Sequence, residues 1–289
     1  YVPWKVLSGH DLRTDIAVMM FAIGFVAAVI YFVRNLFSRY FKHSTFGMFI
    51  LTNILLINCG GALNLVYLPK IYSVPILASL MFTFTGIGCW IHAKNGERIS
   101  NVYVLLGSCC LALNLGCRPA FVVASVLAIP LFWSEVRRGF FFGFKGASQL
   151  ICFTTPFVLL GSLAMAYNKI RFGSYFDFGV SHNLTGFDAA HQSMTLMRIP
   201  WGIWTYLFQP INVTPNFPFM QVIPHVKGFM GVIIAEPFFG GFLAFAPISL
   251  GIFSLGFMRN TLQTNHLYGF SLSGLAVVLF TMCTDILLG

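Results

Sequence analysis

Charge is what this sequence lacks. Charged residues make up 9% of its 289 positions, against about 25% in an ordinary soluble domain, so they are too few to coat a water-facing surface. Acidic residues are scarcest, with eight Asp and Glu against seventeen Lys and Arg. Nucleotide and hydrolase signatures are missing as well: no GxSxG, GxxxxGK or HExxH occurs. Cysteine is modest at seven, without CxxC spacing, and six of the seven (Cys59, Cys89, Cys109, Cys110, Cys152 and Cys283) lie in apolar runs. That pattern suits small packing residues rather than zinc ligands or a disulfide framework. Intrinsic disorder is excluded by what fills the remainder, since 57% of the residues are hydrophobic and mean hydropathy is +0.82.

Composition of this kind belongs to membrane proteins. The net charge of +9 does not argue for nucleic acid, because the cations sit in short clusters between apolar runs instead of forming one continuous basic face. The chain opens without Met and closes on apolar residues, and it is expected to be an internal segment of a longer protein.

A spanning helix needs about 20 apolar residues. The expected fold is therefore an all-α polytopic bundle of about eight membrane segments, over 16–33, 44–68, 71–93, 101–116, 120–133, 149–166, 240–258 and 268–288. Basic clusters at 34–42, 94–98, 137–145 and 259–266 follow alternate segments, which by the positive-inside bias makes them cytoplasmic. Residues 167–231 then form a long extracytoplasmic loop. Within it, apolar and Trp residues over 194–208 are spaced for a helix lying in the membrane interface.

Chemistry is expected on the outer side. Arg118 precedes Pro119 inside an apolar stretch. An Arg there costs about 2.5 to 3.5 kcal/mol to insert at mid-membrane, so it should face an aqueous cavity or an anion, and its donor fork suits phosphate. Snorkelling to the interface is the plainer account of the same residue. Tyr167, Asn168, Lys169 and Arg171 follow a span directly and bring cations and hydrogen-bonding groups to the outer boundary. Asp177 and His182 lie further along, a carboxylate and an imidazole able to do acid–base work. Glu236 falls at another outer segment end. The sequence calls for no metal and no cofactor.

Gly116-Cys117-Arg118-Pro119 and Tyr167-Asn168-x-x-Arg171-Phe172-Gly173-Ser174-x-x-x-Phe178-Gly179, with Leu184-Thr185, Phe208-Gln209-Pro210, Phe217-Pro218-Phe219 and Glu236-Pro237-Phe238-Phe239-Gly240-Gly241, together resemble bacterial polytopic glycosyltransferases of the C-type (GT-C) superfamily, the protein mannosyltransferase and aminoarabinose transferase group. The resemblance implies transfer of a sugar from a polyprenyl-phosphate donor to a lipid, glycan or protein acceptor at the outer face of a bacterial plasma membrane. It implies substrate contacts from Arg118, Tyr167, Asn168, Arg171, His182 and Glu236. The family's acidic residue in its first outer loop would lie upstream of Tyr1; Asp177 is a weak substitute. Cys117 departs from the Thr that often precedes the family's Arg-Pro. The rival readings are a transporter or flippase of a lipid-linked glycan, which needs the same anion-friendly cavity without a base, and a non-catalytic membrane subunit with this fold.

Overall fold

The computed structural model describes residues 2–67, 69–94, 99–143, 146–177, 196, 198–217, 219–221, 240–254 and 265–288. The chain divides into two compact units, residues 1–177 and 178–289. Among the described residues, helices dominate both. Among the described residues no strand forms, and only an isolated antiparallel bridge joins Val213 to Met220.

The first unit contains α1 (Val2–Ser8), α2 (Thr14–Tyr40), α3 (Phe46–Cys59), α4 (Ala62–Tyr67), α5 (Ser73–Ala93) and α6 (Asn101–Cys117). A 3-10 segment (Pro119–Leu127) then continues into α7 (Ala128–Leu131), followed by α8 (Trp133–Arg137), a short 3-10 turn (Phe140–Phe142) and α9 (Ala147–Phe172). Among the described residues, α2, α5 and α9 are long and apolar enough to cross a membrane.

Several elements depart from the sequence reading for identifiable reasons. Helix α2 continues past residue 33 through Arg34 and Arg39, both good helix formers, and the Asn35 amide donates to the Tyr31 carbonyl at 2.8 Å within the helix. The apolar run at 44–68 divides into α3 and α4 because Gly61 adopts a left-handed φ of 66°, which glycine takes without steric cost. Residues 120–133 form no single α-helix. Pro130 has no N–H for the Val126 carbonyl, so the α-ladder cannot run through, and the stretch begins as 3-10. Helix α9 runs on to Phe172, carrying Tyr167–Arg171 as its last turns rather than as the start of a loop.

Helix α5 is the centre of the first unit. On one side it runs parallel to α2, with Tyr31 against Cys89, Asn35 against His92 and Arg39 against Lys94. Phe25, Val29, Val33 and Leu77 are fully buried between the two, and Phe84 meets Phe25 and Phe32 edge-on. On its other side α5 runs antiparallel to α6, with Thr83 paired to Asn114 at 3.0 Å and the Trp90 indole donating to the Val104 carbonyl at 3.3 Å. A Cβ on Gly86 would lie 3.0 Å from the Gly107 carbonyl oxygen, and one on Gly107 would lie 2.7 Å from that of Gly86. The two backbones thus touch through a pair of missing side chains, the contact by which apolar helices associate where burial from water cannot drive them together.

The second unit contains α10 (Arg198–Ile203), which passes into a π-helical turn (Trp204–Phe208), then α11 (Phe242–Phe245), a 3-10 segment (Pro247–Ser254) and α12 (Asn265–Leu288). Gly202 of α10 sits directly against Ile286, near the end of α12. The segment expected over 240–258 is broken: Pro247 separates α11 from the 3-10 turns, and residues 255–258 lie outside the described residues.

Candidate functional site

Contacts in the first unit sort its polar groups to two ends. Asn101 at the start of α6 donates to Ser148 at the start of α9 at 3.3 Å, and Phe153 packs on Trp90. Helices α6 and α9 therefore begin at the Lys94 end and run the same way. With a rise of 1.5 Å per residue, α6 climbs about 24 Å to Cys117, and α9 climbs about 35 Å from Ser148 to Arg171. Both deliver their Arg to the end away from Lys94. Arg118 and Arg171, 53 positions apart in the sequence, thus share one end of the unit.

Arg118 closes α6 in an extended conformation, φ −138° and ψ 100°. The following proline dictates this, because its ring excludes the helical region for the residue before it. The chain then turns back, with the Phe121 N–H donating to the Arg118 carbonyl at 3.0 Å. The side chain is exposed, and among the described residues its guanidinium has no hydrogen-bond or ion-pair partner.

Arg171 is held by its own helix. Its Nη1 donates to the Tyr167 hydroxyl at 3.3 Å, one turn back, and the guanidinium lies 5.9 Å from the Tyr167 ring and 4.9 Å from the Phe172 ring. Exposed cation–π contacts are worth about 0.5 to 1 kcal/mol each, enough to bias the side chain yet weak enough to yield to an anion. Tyr167 is exposed.

Asn168 behaves differently. It is buried, and its amide reaches the Tyr175 carbonyl at 3.5 Å. Gly173 ends α9 at φ 79°, its N–H donating to the Lys169 carbonyl, while Lys169 Nζ donates to the Gly173 carbonyl at 2.6 Å and lies over the Tyr175 ring. Asn168 and Lys169 thereby fold the chain back after the helix, and their polar groups serve that turn. Asp177 is half-buried at the end of this segment. His182 and Glu236 lie outside the described residues.

The opposite end carries a network where the sequence shows basic clusters expected on the cytoplasmic side. Lys94 Nζ pairs with Glu135 Oε2 at 2.7 Å and also donates to the Leu131 carbonyl at 2.9 Å. Arg39 Nη1 donates to the Lys94 carbonyl at 2.6 Å. Burial draws the Lys94 pKa below its ordinary value, against the hydrogen bond it donates to Glu135. Burial also works to raise Glu135, but the hydrogen bonds from Lys94 and Ser134 outweigh it and hold the carboxyl below the usual range. The one sequence signal was Glu135 itself, an acid just before Arg137 and Arg138. Beside this network, the His92 ring stands 4.2 Å from Tyr103, and its Nδ1 lies 2.7 Å from Asn35 Oδ1. The Asn35 amide is oriented by donating to Tyr31, so His92 Nδ1 carries the proton in this pair.

In comparison with known proteins, the chain matches no family model, no curated protein and no solved structure. The functional reading therefore rests on the residues themselves.

Proposed function

We infer that this chain belongs to a multi-pass membrane glycosyltransferase of the GT-C kind, taking a sugar from a polyprenyl-phosphate donor at the extracytoplasmic face of a bacterial plasma membrane. The observation that carries the reading is the arrival of Arg118 and Arg171 at one end of a helical unit, with the Arg118 fork uncommitted to any described side chain. A planar guanidinium offers two parallel donors to phosphate oxygens. Placed at headgroup depth, it meets the donor's phosphate where a cation costs little.

In this reading Arg118 and Arg171 hold the donor phosphate, and the Arg118 fork stabilises the charge that grows there as the glycosidic bond breaks. Tyr167 releases Arg171 to the anion. Asp177, His182 and Glu236 orient the sugar or the acceptor hydroxyl. The basic Lys94 end faces the cytoplasm, where the Lys94–Glu135 pair ties the end of α5 to α8, and the two Arg residues stand at the other end.

The test is donor turnover by the full-length protein in lipid nanodiscs, with a set of radiolabelled polyprenyl-phosphate sugars. Release of free polyprenyl phosphate from one of them supports transfer. Movement of an intact donor across a liposome membrane without cleavage assigns the chain to a flippase instead. Neither cleavage nor movement with any donor removes the reading.

A further inference from the structure

Between Ile199 and Val226 the sequence contains no Asp, Glu, Lys or Arg, but it holds Trp201, Trp204, Tyr206, Phe208, Phe217 and Phe219. Part of this stretch forms a small hairpin. The Val213–Met220 bridge is flanked by the Gln221 N–H donating to the Asn212 carbonyl at 2.9 Å and the Thr214 N–H donating to the Phe219 carbonyl at 3.1 Å. At its tip Phe217 is 87% exposed and Phe219 56%, and the two rings stand edge to face with centroids 5.9 Å apart.

Two further observations bear on what covers this tip. Phe219 adopts a φ of 66°, a left-handed conformation that bulky residues rarely accept and that persists where the surroundings repay it. Its backbone is pinned there by the Phe219 N–H bonding to the Asn216 carbonyl at 2.6 Å. The hairpin is also placed along the second unit. Ile286, two residues before the end of the 24-residue α12, lies against Gly202 of α10. The apolar part of α12 is Tyr268–Thr284, so α10 packs just past the end of that stretch, which in the membrane reading is the level of the boundary. The π-helical turn follows α10 with Trp204, Tyr206 and Phe208 exposed, the residue types that gather at that boundary. Only Pro210 and Ile211 separate Gln209 from the hairpin, a reach of about 11 Å at most.

We propose that the Phe217–Phe219 tip is a membrane-dipping wedge that seats the hairpin in the headgroup–acyl boundary of the bilayer. An uncharged loop with two exposed rings enters that boundary without dehydrating any ion, and the left-handed Phe219 goes with a second ring held edge to face with the first. The occupant of this surface is lipid, not another protein segment. The proposal rests on the membrane reading of the long helices and does not depend on the transferase chemistry.

The experiment is a spin label at Phe217→Cys in the full-length protein, in a background without the seven native free cysteines, reconstituted in nanodiscs. Collision rates are measured with oxygen, which concentrates in lipid, and with a nickel chelate, which stays in water. A label at Ile23→Cys, on the exposed face of α2, is the reference for lipid. The expected result at position 217 is an oxygen-to-nickel ratio within about threefold of that reference. A nickel-dominated signal places the tip in water, and low collision with both probes places it under protein; either overturns the proposal while leaving the membrane reading intact. Loss of the lipid signature at Ile23 as well removes both. Should the cysteine-free background fail to fold, Phe217→Trp in the natural sequence gives the same answer through quenching by brominated lipids: added quenching over the parent supports the wedge, and none contradicts it.

Discussion

Lys94 and Glu135 meet at 2.7 Å with both side chains largely out of solvent, and they join the end of α5 to α8 across 41 positions of sequence. Arg39 adds α2 by donating to the Lys94 carbonyl. Three segments that read as separate basic loops are thus one polar clasp, and it is partly dry. Such a pair is costly to break from one side, because the survivor is left as an unpaired charge.

Glu135→Gln is accordingly expected to destabilise the protein by about 1.5 to 3 kcal/mol, the range for losing a hydrogen bond to a charged group. The pH dependence follows from the lowered pKa of Glu135. A carboxyl depressed in the folded state contributes stability that is present above its ordinary value near about pH 4.3, and that is lost as pH falls through the folded value. Thermal unfolding in detergent between pH 7 and pH 3 should show this loss in the parent and a smaller loss in the variant. Identical pH profiles for the two would remove the clasp from the stability account.

The Gly86–Gly107 contact predicts a second asymmetry. Gly107→Ala places a methyl 2.7 Å from a backbone oxygen and closer still to Trp90, whereas a Cβ at Gly116 on the same helix meets nothing within 4 Å. Overpacking costs about 1 to 3 kcal/mol, and Gly→Ala in an open helical position gains about 0.5 to 1 kcal/mol. Denaturation midpoints should therefore move in opposite directions, down for Gly107→Ala and level or up for Gly116→Ala.

Topology offers a third check. The clasp gathers the ends of α2 and α5 with α8, so cysteines introduced at Lys42 and Arg137 should be shielded together from an impermeant reagent in whole cells. One introduced at Lys70 should label. Labelling of Lys42 or Arg137 alone contradicts the alternation of helices across the membrane.

Arg171 and Tyr167 yield a fourth. If Tyr167 only parks the guanidinium between turnovers, Tyr167→Phe should change donor KM by less than about threefold, since it removes one weak contact and keeps a ring. Arg171→Ala should raise KM by about tenfold or more with a smaller change in kcat, which is the signature of lost binding shared by ground and transition states. A fall in kcat alone for Arg171→Ala would move that residue from binding to the chemical step.

How far these features were legible in sequence varies with the range of the interaction. The limits of α5 and α6 were readable to within two residues, because Lys70, Lys94, Arg118 and Pro119 punctuate otherwise apolar runs. The end of α9 was missed: Tyr167, Lys169 and Arg171 read as a polar loop, yet long cationic side chains extend a helix readily, and Gly173 is the physical stop. Arg118 was legible from its Arg-Pro pair, which forces an extended break. The shared end of Arg118 and Arg171 was legible as well, since both residues follow segments expected to run outward; the Asn101–Ser148 contact that sets α6 and α9 side by side was not. The clasp and the Asn35–His92 pair were invisible for the same reason: each joins residues more than 40 positions apart.

The account turns on Arg118 gripping a phosphate through its fork. The most direct measurement is the affinity of the full-length protein for its polyprenyl-phosphate donor, parent against Arg118→Lys, with thermal stability followed in parallel to show that both fold. Lysine keeps the charge and loses the bidentate geometry. The account predicts at least about a tenfold weaker Kd, equivalent to about 1.4 kcal/mol, with the melting temperature unchanged. Equal affinity for the two proteins would contradict it and leave Arg118 as the residue that ends a helix.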